Sequence, residues 1–509
     1  MAHDYTRKSA KNAFVGLVTQ LLTNILGFVS RYIFIRCLSA EYLGINGLFA
    51  NVLTLLSFAE LGIGEALVYA MYKPMKEGDE EKLKSILRFY KRAYSWIAAI
   101  VIVVGLILSF YIDSFVAQKP DIPENFQFIF CLYLLNNAGS YFLAYKQSVL
   151  NVDQNKYIVS SISQIVHVVQ LCCQMTFLYL THNYYIYLAW QIAGTFIVNL
   201  LLSRYVNKHY QWASETKNIK RLDKSERSNI FRDIKALSIS KIAGVVSNGA
   251  DNIIIAKLIS LKQVGIASNY SMVINAFNGM LWGALSSITG SIGQFNVDSD
   301  SERKRQIFDE LYLCTFWLYS CLCIGLMTLL TPLVTVWLGE NYAMNQNVVI
   351  ALVMIIYVSG LNFPFYSFRV TCGMFEVMKY NYVLFAMLNV VFSVALGKYF
   401  GLVGIYAATI VARLIAAEFK EGLIVYRKIL KRSVWQYFSR YMSLGVLLIV
   451  VYVLTNRIVS SIVIGGWSGL FVKGIVCMMV VNLVYIAVFF RTREFRALLK
   501  KGKSLLHLK

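Results

Sequence analysis

Apolar runs of about 20 residues recur along the whole 509-residue chain. Each is long enough to cross a hydrocarbon core of roughly 30 Å as a helix. Lipid offers no partner for a free backbone N–H or C=O, so runs of this length must satisfy their own hydrogen bonds, as α-helices do. We expect an all-α polytopic membrane protein with about fourteen spans, at roughly 13–37, 44–70, 93–112, 126–146, 158–180, 184–204, 235–259, 265–291, 310–331, 347–368, 381–399, 402–425, 440–462 and 467–490.

Composition agrees. Hydrophobic residues make up 58% and charged residues 15%, against about a quarter charged in a soluble chain. Mean hydropathy is +0.57. No stretch is long and polar enough for a separate soluble domain. The start, MAHDYTRKSAKN, leads into an apolar run without a small-residue cleavage site, so no removable signal peptide is expected. No phosphate-cradling glycine loop, HExxH or nucleophile triad appears, so the chain does not read as an enzyme or an ATP-driven pump. No cofactor is expected. The nine cysteines lack zinc-like spacing, and no metal is expected.

The net charge of +22 is concentrated in alternate loops. Basic residues crowd the N-terminus, 73–92, Lys146 and Lys156, 205–234, 303–305, 427–432 and the tail. The loops at 113–125, 181–183 and 338–346 are nearly free of them, with Lys257 and Lys262 the main exceptions. This alternation places both termini in the cytoplasm and requires an even number of spans. It assigns most of the excess to cytoplasmic loops and the rest to an acidic ligand or anionic membrane lipid, not to nucleic acid.

One segment occurs twice. Arg31 to Ile45 reads RYIFIRCLSAEYLGI; 221 residues later, Asn252 to Ile266 reads NIIIAKLISLKQVGI. The same shift carries Ser39 to Ser260, Gly44 to Gly265, Glu81 to Glu302 and Trp96 to Trp317. Two related halves follow, in parallel orientation. The expected organisation is a six-helix lobe at 1–206, a cytoplasmic linker at 207–233, a second six-helix lobe at 234–432, two added helices at 433–490 and a basic tail at 491–509. The lobes are expected to surround a central cavity lined by spans 1, 2, 7 and 8.

Ionisable residues inside apolar spans are costly and mark cavities or internal pairs. Gln20, Asn24 and Arg31 form a polar stripe on span 1; Arg36 lies nearer the outer end and either lines the cavity or snorkels to the headgroups. Glu60 and Glu65 in span 2 either balance the cations, carry a coupling ion, or pack with Gly62 and Gly64. Lys241, Asn248 and Asp251 fall in span 7, where the alternative is an internal salt bridge. Arg369 lies past Pro364 at the cytoplasmic end of span 10, and Arg413 and Glu418 lie in span 12; for these the alternative is snorkelling to the headgroups. We expect Arg31, Lys241 and Arg369 to form a cationic cavity suited to a phosphate or pyrophosphate group. Asn24, Glu60, Glu65, Asn248 and Asp251 supply its polar or ion-coupling groups.

Several stretches carry a resemblance: LGFVSRYIFIRCLSAEYLGINGLFANVLTLLSFAELGIGEALVYAMYKPM at 26–75, LNVDQNKYIVSSISQ at 150–164, DNIIIAKLISLKQVGIASNYSMVI at 251–274 and GLVGIYAATIVARLI at 401–415. The chain resembles the bacterial polysaccharide repeat-unit flippases of O-antigen and capsule assembly. They lie in the superfamily that also holds multidrug extrusion transporters and peptidoglycan-precursor flippases. The resemblance implies alternating access and movement of undecaprenyl-pyrophosphate-linked glycan to the outer leaflet of the bacterial cytoplasmic membrane. Membrane lipids are the other implied partners, with a polysaccharide polymerase or glycosyltransferases as further candidates. Peptidoglycan-precursor flippases are similar at LGF but follow it with A-R-D. Here Val29-Ser30-Arg31 follows, and Asn24 stands where an arginine would be expected, which counts against that substrate. The alternatives are a cation-coupled multidrug exporter and a non-transporting scaffold for polysaccharide assembly.

Overall fold

The computed structural model describes residues 22–506, apart from 61–62, 154, 215–221, 224–225, 229, 232–233, 235–248, 288, 290–291, 293–300 and 375. The described residues are almost entirely helical. Among the described residues, eight helical stretches are long and apolar enough to cross a membrane, and a ninth crossing results if the bent pair at 126–152 is one span. The protein is a multi-pass membrane protein. In all fourteen expected spans the described residues are predominantly helical.

The chain divides into two compact units, 1–265 and 266–509. In the first unit the helices are α1 (22–37), α2 (Ala40–Leu56), α3 (Ile63–Glu77), α4 (Glu80–Phe110), α5 (Phe126–Tyr141), α6 (Ala144–Val152), α7 (Lys156–Thr181), α8 (Tyr184–His209) and α9 (249–258). Helix α10 (Leu261–Ser287) begins there and runs into the second unit. The second unit continues with α11 (Ser301–Leu338), α12 (Gln346–Leu361), α13 (Phe363–Thr371), α14 (379–400), α15 (402–429), α16 (Val434–Ser460), α17 (Gly466–Phe489) and α18 (Arg493–Leu506).

Three helix breaks shape the units. Span 2 breaks at a 3₁₀ turn, Ser57–Glu60, between α2 and α3. Span 4 bends by 41° between α5 and α6, where Leu143 takes a left-handed conformation at φ 67°. Span 10 breaks at Asn362, whose successor Phe363 starts a helix with Pro364 in its first turn, a position where the missing N–H costs no hydrogen bond. Gly401, at φ 59°, separates α14 from α15. The chain then turns back on itself, for Thr409 Oγ1 donates to Asn389 Oδ1 at 2.8 Å. Within α15, residues 414–418 and 425–429 are π-helical.

Helix ends differ from the expected spans. Helix α4 begins at Glu80, not near 93, capped by the Asp79 carboxylate accepting from the Lys82 amide at 3.0 Å. Lys82 to Arg92 therefore lie on a helix and not in a loop. Helix α11 likewise begins at Ser301. Hydropathy detects only the part of a helix that crosses hydrocarbon; the polar extensions carry on the same hydrogen bonding beyond it.

The repeated segments meet in the first unit. A Cβ on Gly44 would fall on the Leu261 carbonyl, and a Cβ on Gly265 would fall on the Ala40 carbonyl. The absence of side chains lets the starts of α2 and α10 approach backbone to backbone, as small residues do between membrane helices.

Candidate functional site

The first unit holds a polar cavity of about 580 Å³. Helix α7 supplies Ser160, Gln164 and His167, each three or four residues from the next and so on one face. Gln147 comes from α6 beyond the bend, Thr195 and Asn199 from α8, and Thr23 from α1. The bend at Leu143 turns α6 so that Gln147 Nε2 donates to Asn199 Oδ1 at 3.0 Å, while Asn199 Nδ2 caps the Gly139 carbonyl at 3.0 Å. Thr23 Oγ1 donates to Gln164 Oε1 at 3.0 Å. The Gln164 Nε2 amide is buried with no hydrogen-bond partner among the described residues. No Asp, Glu, Lys or Arg lines the cavity among the described residues. Amides and hydroxyls present both donors and acceptors, the lining that suits a neutral, hydroxyl-rich group.

Arg31 lies eight residues further along α1 than Thr23, about 12 Å along the helix axis. It is half-buried and interacts electrostatically with Tyr187 of α8 and Tyr133 of α5. Those rings belong to a network: the Tyr133 and Tyr184 hydroxyls are 3.1 Å apart and both donate to Asn46 Oδ1. Phe34, one turn from Arg31, packs edge-on against Tyr184 and Tyr187. Asn24 is half-buried on α1, and Arg36 is exposed with its guanidinium 5.2 Å from the Tyr32 ring.

The carboxylates of span 2 separate. Glu60, in the 3₁₀ turn, accepts from the Tyr94 hydroxyl at 2.9 Å, and Tyr90 donates to Tyr94 at 3.4 Å. Gly64 fits against these two hydroxyls because it has no side chain. Glu65 is exposed on α3. Asp251 is half-buried on α9, the helix whose Gly249 lies beside Leu55 and Asn51 of α2. Lys241 and Asn248, with Gln20 and Gly62, lie outside the described residues.

Arg369 belongs to the interior of the second unit. It is 3% exposed, and its guanidinium pairs with Glu421, donates to the Met374 carbonyl at 2.9 Å and reaches the Tyr382 hydroxyl at 3.4 Å. Asn362, at the break in span 10, donates to the other Glu421 oxygen at 2.6 Å. Arg413 and Glu418 pair beside it at 3.4 Å. Removing Glu421 from water is offset by these bonds, so the cluster locks α13 to α15.

Sequence reasoning missed the tyrosines that surround Arg31 and Glu60, the partner Glu421, and the neutral face of α7. A polar period was available in SSISQIVHVVQ, but uncharged residues on a helix give a weak signal beside charged ones.

Apolar helices of membrane-crossing length in two units, with an uncharged polar cavity inside one of them, define a polytopic membrane protein. The chain belongs to the polysaccharide biosynthesis protein family, whose match covers residues 9–289, more than half of the sequence. Among solved structures it is similar to a multidrug resistance MATE family transporter of the MOP superfamily in an inward-facing conformation. That likeness has a TM-score of 0.64 and 13% identity, covering 85% of this chain and 99% of the other. It is equally similar to the lipid II flippase MurJ in an inward closed conformation, with a TM-score of 0.64, 15% identity and coverage of 93% and 99%. An outward-facing MATE family transporter gives a TM-score of 0.51 at 13% identity, covering 84% and 96%. At these identities the likeness is one of fold alone. No curated protein matches the sequence.

Proposed function

We propose that this protein is a flippase that moves a lipid-linked saccharide across the bacterial cytoplasmic membrane by alternating access, with both termini in the cytoplasm. The observation that carries the reading is the uncharged cavity in the first unit, with Arg31 about 12 Å away along the same helix. A saccharide offers hydroxyls that both donate and accept, which Gln147, Ser160, Gln164, Thr195 and Asn199 complement without any charge. A linking phosphate requires a cation, which Arg31 supplies. The family's role in polysaccharide biosynthesis and the likeness to a lipid II flippase support this choice of substrate class.

The finer reading is an undecaprenyl-pyrophosphate-linked repeat unit for capsule, exopolysaccharide or O-antigen. The sugar enters the cavity while the polyprenyl chain stays in lipid. Arg31 and Lys241 are the cations assigned to the pyrophosphate. Arg369, already engaged with Glu421, is assigned to bracing the second unit. Asn24, Glu65, Asn248 and Asp251 are assigned to the polar path, and Glu60 to holding the break in span 2 through Tyr94.

The equal likeness to MATE transporters supports multidrug export as the second reading. A site for organic cations calls for carboxylates, and the cavity lining contains none among the described residues. A deletion strain complemented with Arg31→Ala or Gln164→Leu tests the first reading. The variants accumulate at normal levels but surface polysaccharide falls. Unchanged polysaccharide together with altered drug susceptibility would select the second.

A further inference from the structure

A second cavity, about 510 Å³, lies against the polar end of α4. Lys84, Arg88, Lys91 and Arg92 line it from one helix, and Trp96 and Trp212 flank it. Spacings of four, three, one and four residues keep these α4 side chains on one side of the helix. Trp212 is 8% exposed and held by the 3₁₀ turn Gln211–Ala213, so it forms a fixed wall. Trp96 is 72% exposed and begins the face that continues through Ile100, Val103, Ile107 and Phe110, all exposed. In a membrane protein such a face meets lipid. Arg92 is one helical turn, about 6 Å, from Trp96. The cations therefore sit where hydrocarbon gives way to headgroups.

Lys84 lies 4.0 Å from Glu80, but neither Lys91 nor Arg92 takes part in an ion pair among the described residues. Lys91 also lies within Coulombic reach of Lys146. Lys146 is 8% exposed and bonded to the neutral Asn207 Oδ1 at 2.6 Å.

The internal repeat supplies the contrast. Shifting by 221 residues places Lys84 on Arg305, Arg88 on Asp309 and Trp96 on Trp317. In the second unit that face of α11 is covered. Trp317 donates to Asn482 Oδ1 of α17 at 2.9 Å and stacks on Phe495 of α18 at 5.6 Å. Asp309 holds Arg432 in a bidentate pair and also binds Arg440 of α16. Where the second unit carries a carboxylate that receives the protein's own cations, the first unit carries Arg88, which lines the groove.

We propose that the Lys84–Arg92 groove binds the phosphate of an anionic membrane lipid, whose acyl chains run along the lipid-facing surface beyond Trp96. The site is independent of the transported substrate.

The test uses the full-length protein in detergent, with native mass spectrometry after exchange into phosphatidylglycerol or phosphatidylcholine. Wild-type protein retains phosphatidylglycerol in preference. The Lys91→Gln/Arg92→Gln protein loses roughly tenfold or more of that preference, since each interfacial cation contributes about a fivefold factor. Lys73→Gln/Lys76→Gln, which removes the same charge elsewhere on the surface, keeps it. Trp96→Ala weakens retention of lipid without reversing the preference, and so tests the groove in a protein of unchanged charge. Equal retention of both lipids, or an unchanged preference in the Lys91/Arg92 variant, overturns the proposal. Displacement of phosphatidylglycerol by equimolar inorganic pyrophosphate overturns the lipid assignment in favour of a soluble phosphate site.

Discussion

Gly44 and Gly265 hold equivalent places in the repeated segments, and each leaves room for the backbone of the other's helix: Gly44 for the Leu261 carbonyl, Gly265 for that of Ala40. The contact is reciprocal under the same 221-residue shift that relates the sequences, since Ala40 shifts to Leu261. A repeat visible in residue identities is thus also a repeat of packing.

Adding one methyl group tests that contact. Gly44→Ala or Gly265→Ala forces backbone apart and is expected to cost about 1–3 kcal/mol, seen as a lower Tm of the detergent-solubilised protein. Gly279→Ala and Gly283→Ala, on the same helix α10 with no described residue within 4 Å, leave Tm unchanged or raise it slightly. Equal effects from all four would remove the argument for close approach.

The buried pair in the second unit gives a different signature. Arg369→Met leaves Glu421 buried without its cation, and a loss of about 3–5 kcal/mol is expected. The double change Arg369→Met/Glu421→Gln recovers part of it, as read by thermal unfolding and by yield. A stable Arg369→Met protein that fails to transport would instead return Arg369 to the substrate.

The cavity is expected to separate stability from transport. In Gln164 the Nε2 amide is buried and has no partner among the described residues, while Oε1 accepts from Thr23. Gln164→Leu removes one unsatisfied donor and one hydrogen bond, so stability changes by no more than about 1 kcal/mol. Surface polysaccharide falls at unchanged protein level if the amide meets the sugar. Loss of protein in step with loss of polysaccharide would reduce Gln164 to a packing residue.

The crossings were legible because hydrocarbon thickness sets the length of an apolar run. The turn between α14 and α15 was legible too, at Gly401. The break at Leu143 was not: leucine has no preference for positive φ, and tertiary packing holds it there. Arg31 was legible as a cation in an apolar span. Its surroundings were not, because Tyr133 and Tyr187 lie over 100 residues away in sequence. Glu421 was overlooked beside Glu418, as only the fold decides which carboxylate reaches Arg369. The cations of α4 were visible in sequence as a basic stretch; their common groove required the helix to begin at Glu80 and Trp212 to fold against it.

The central claim is that a saccharide on a lipid crosses the membrane through the first unit. Its most direct measurement follows which leaflet holds the lipid-linked repeat unit in sealed vesicles from a deletion strain. Without the protein the unit accumulates on the cytoplasmic leaflet, and the wild-type protein relieves this whereas Arg31→Ala or Gln164→Leu at equal levels does not. A normal leaflet distribution without the protein, in a strain with no second flippase, would contradict it.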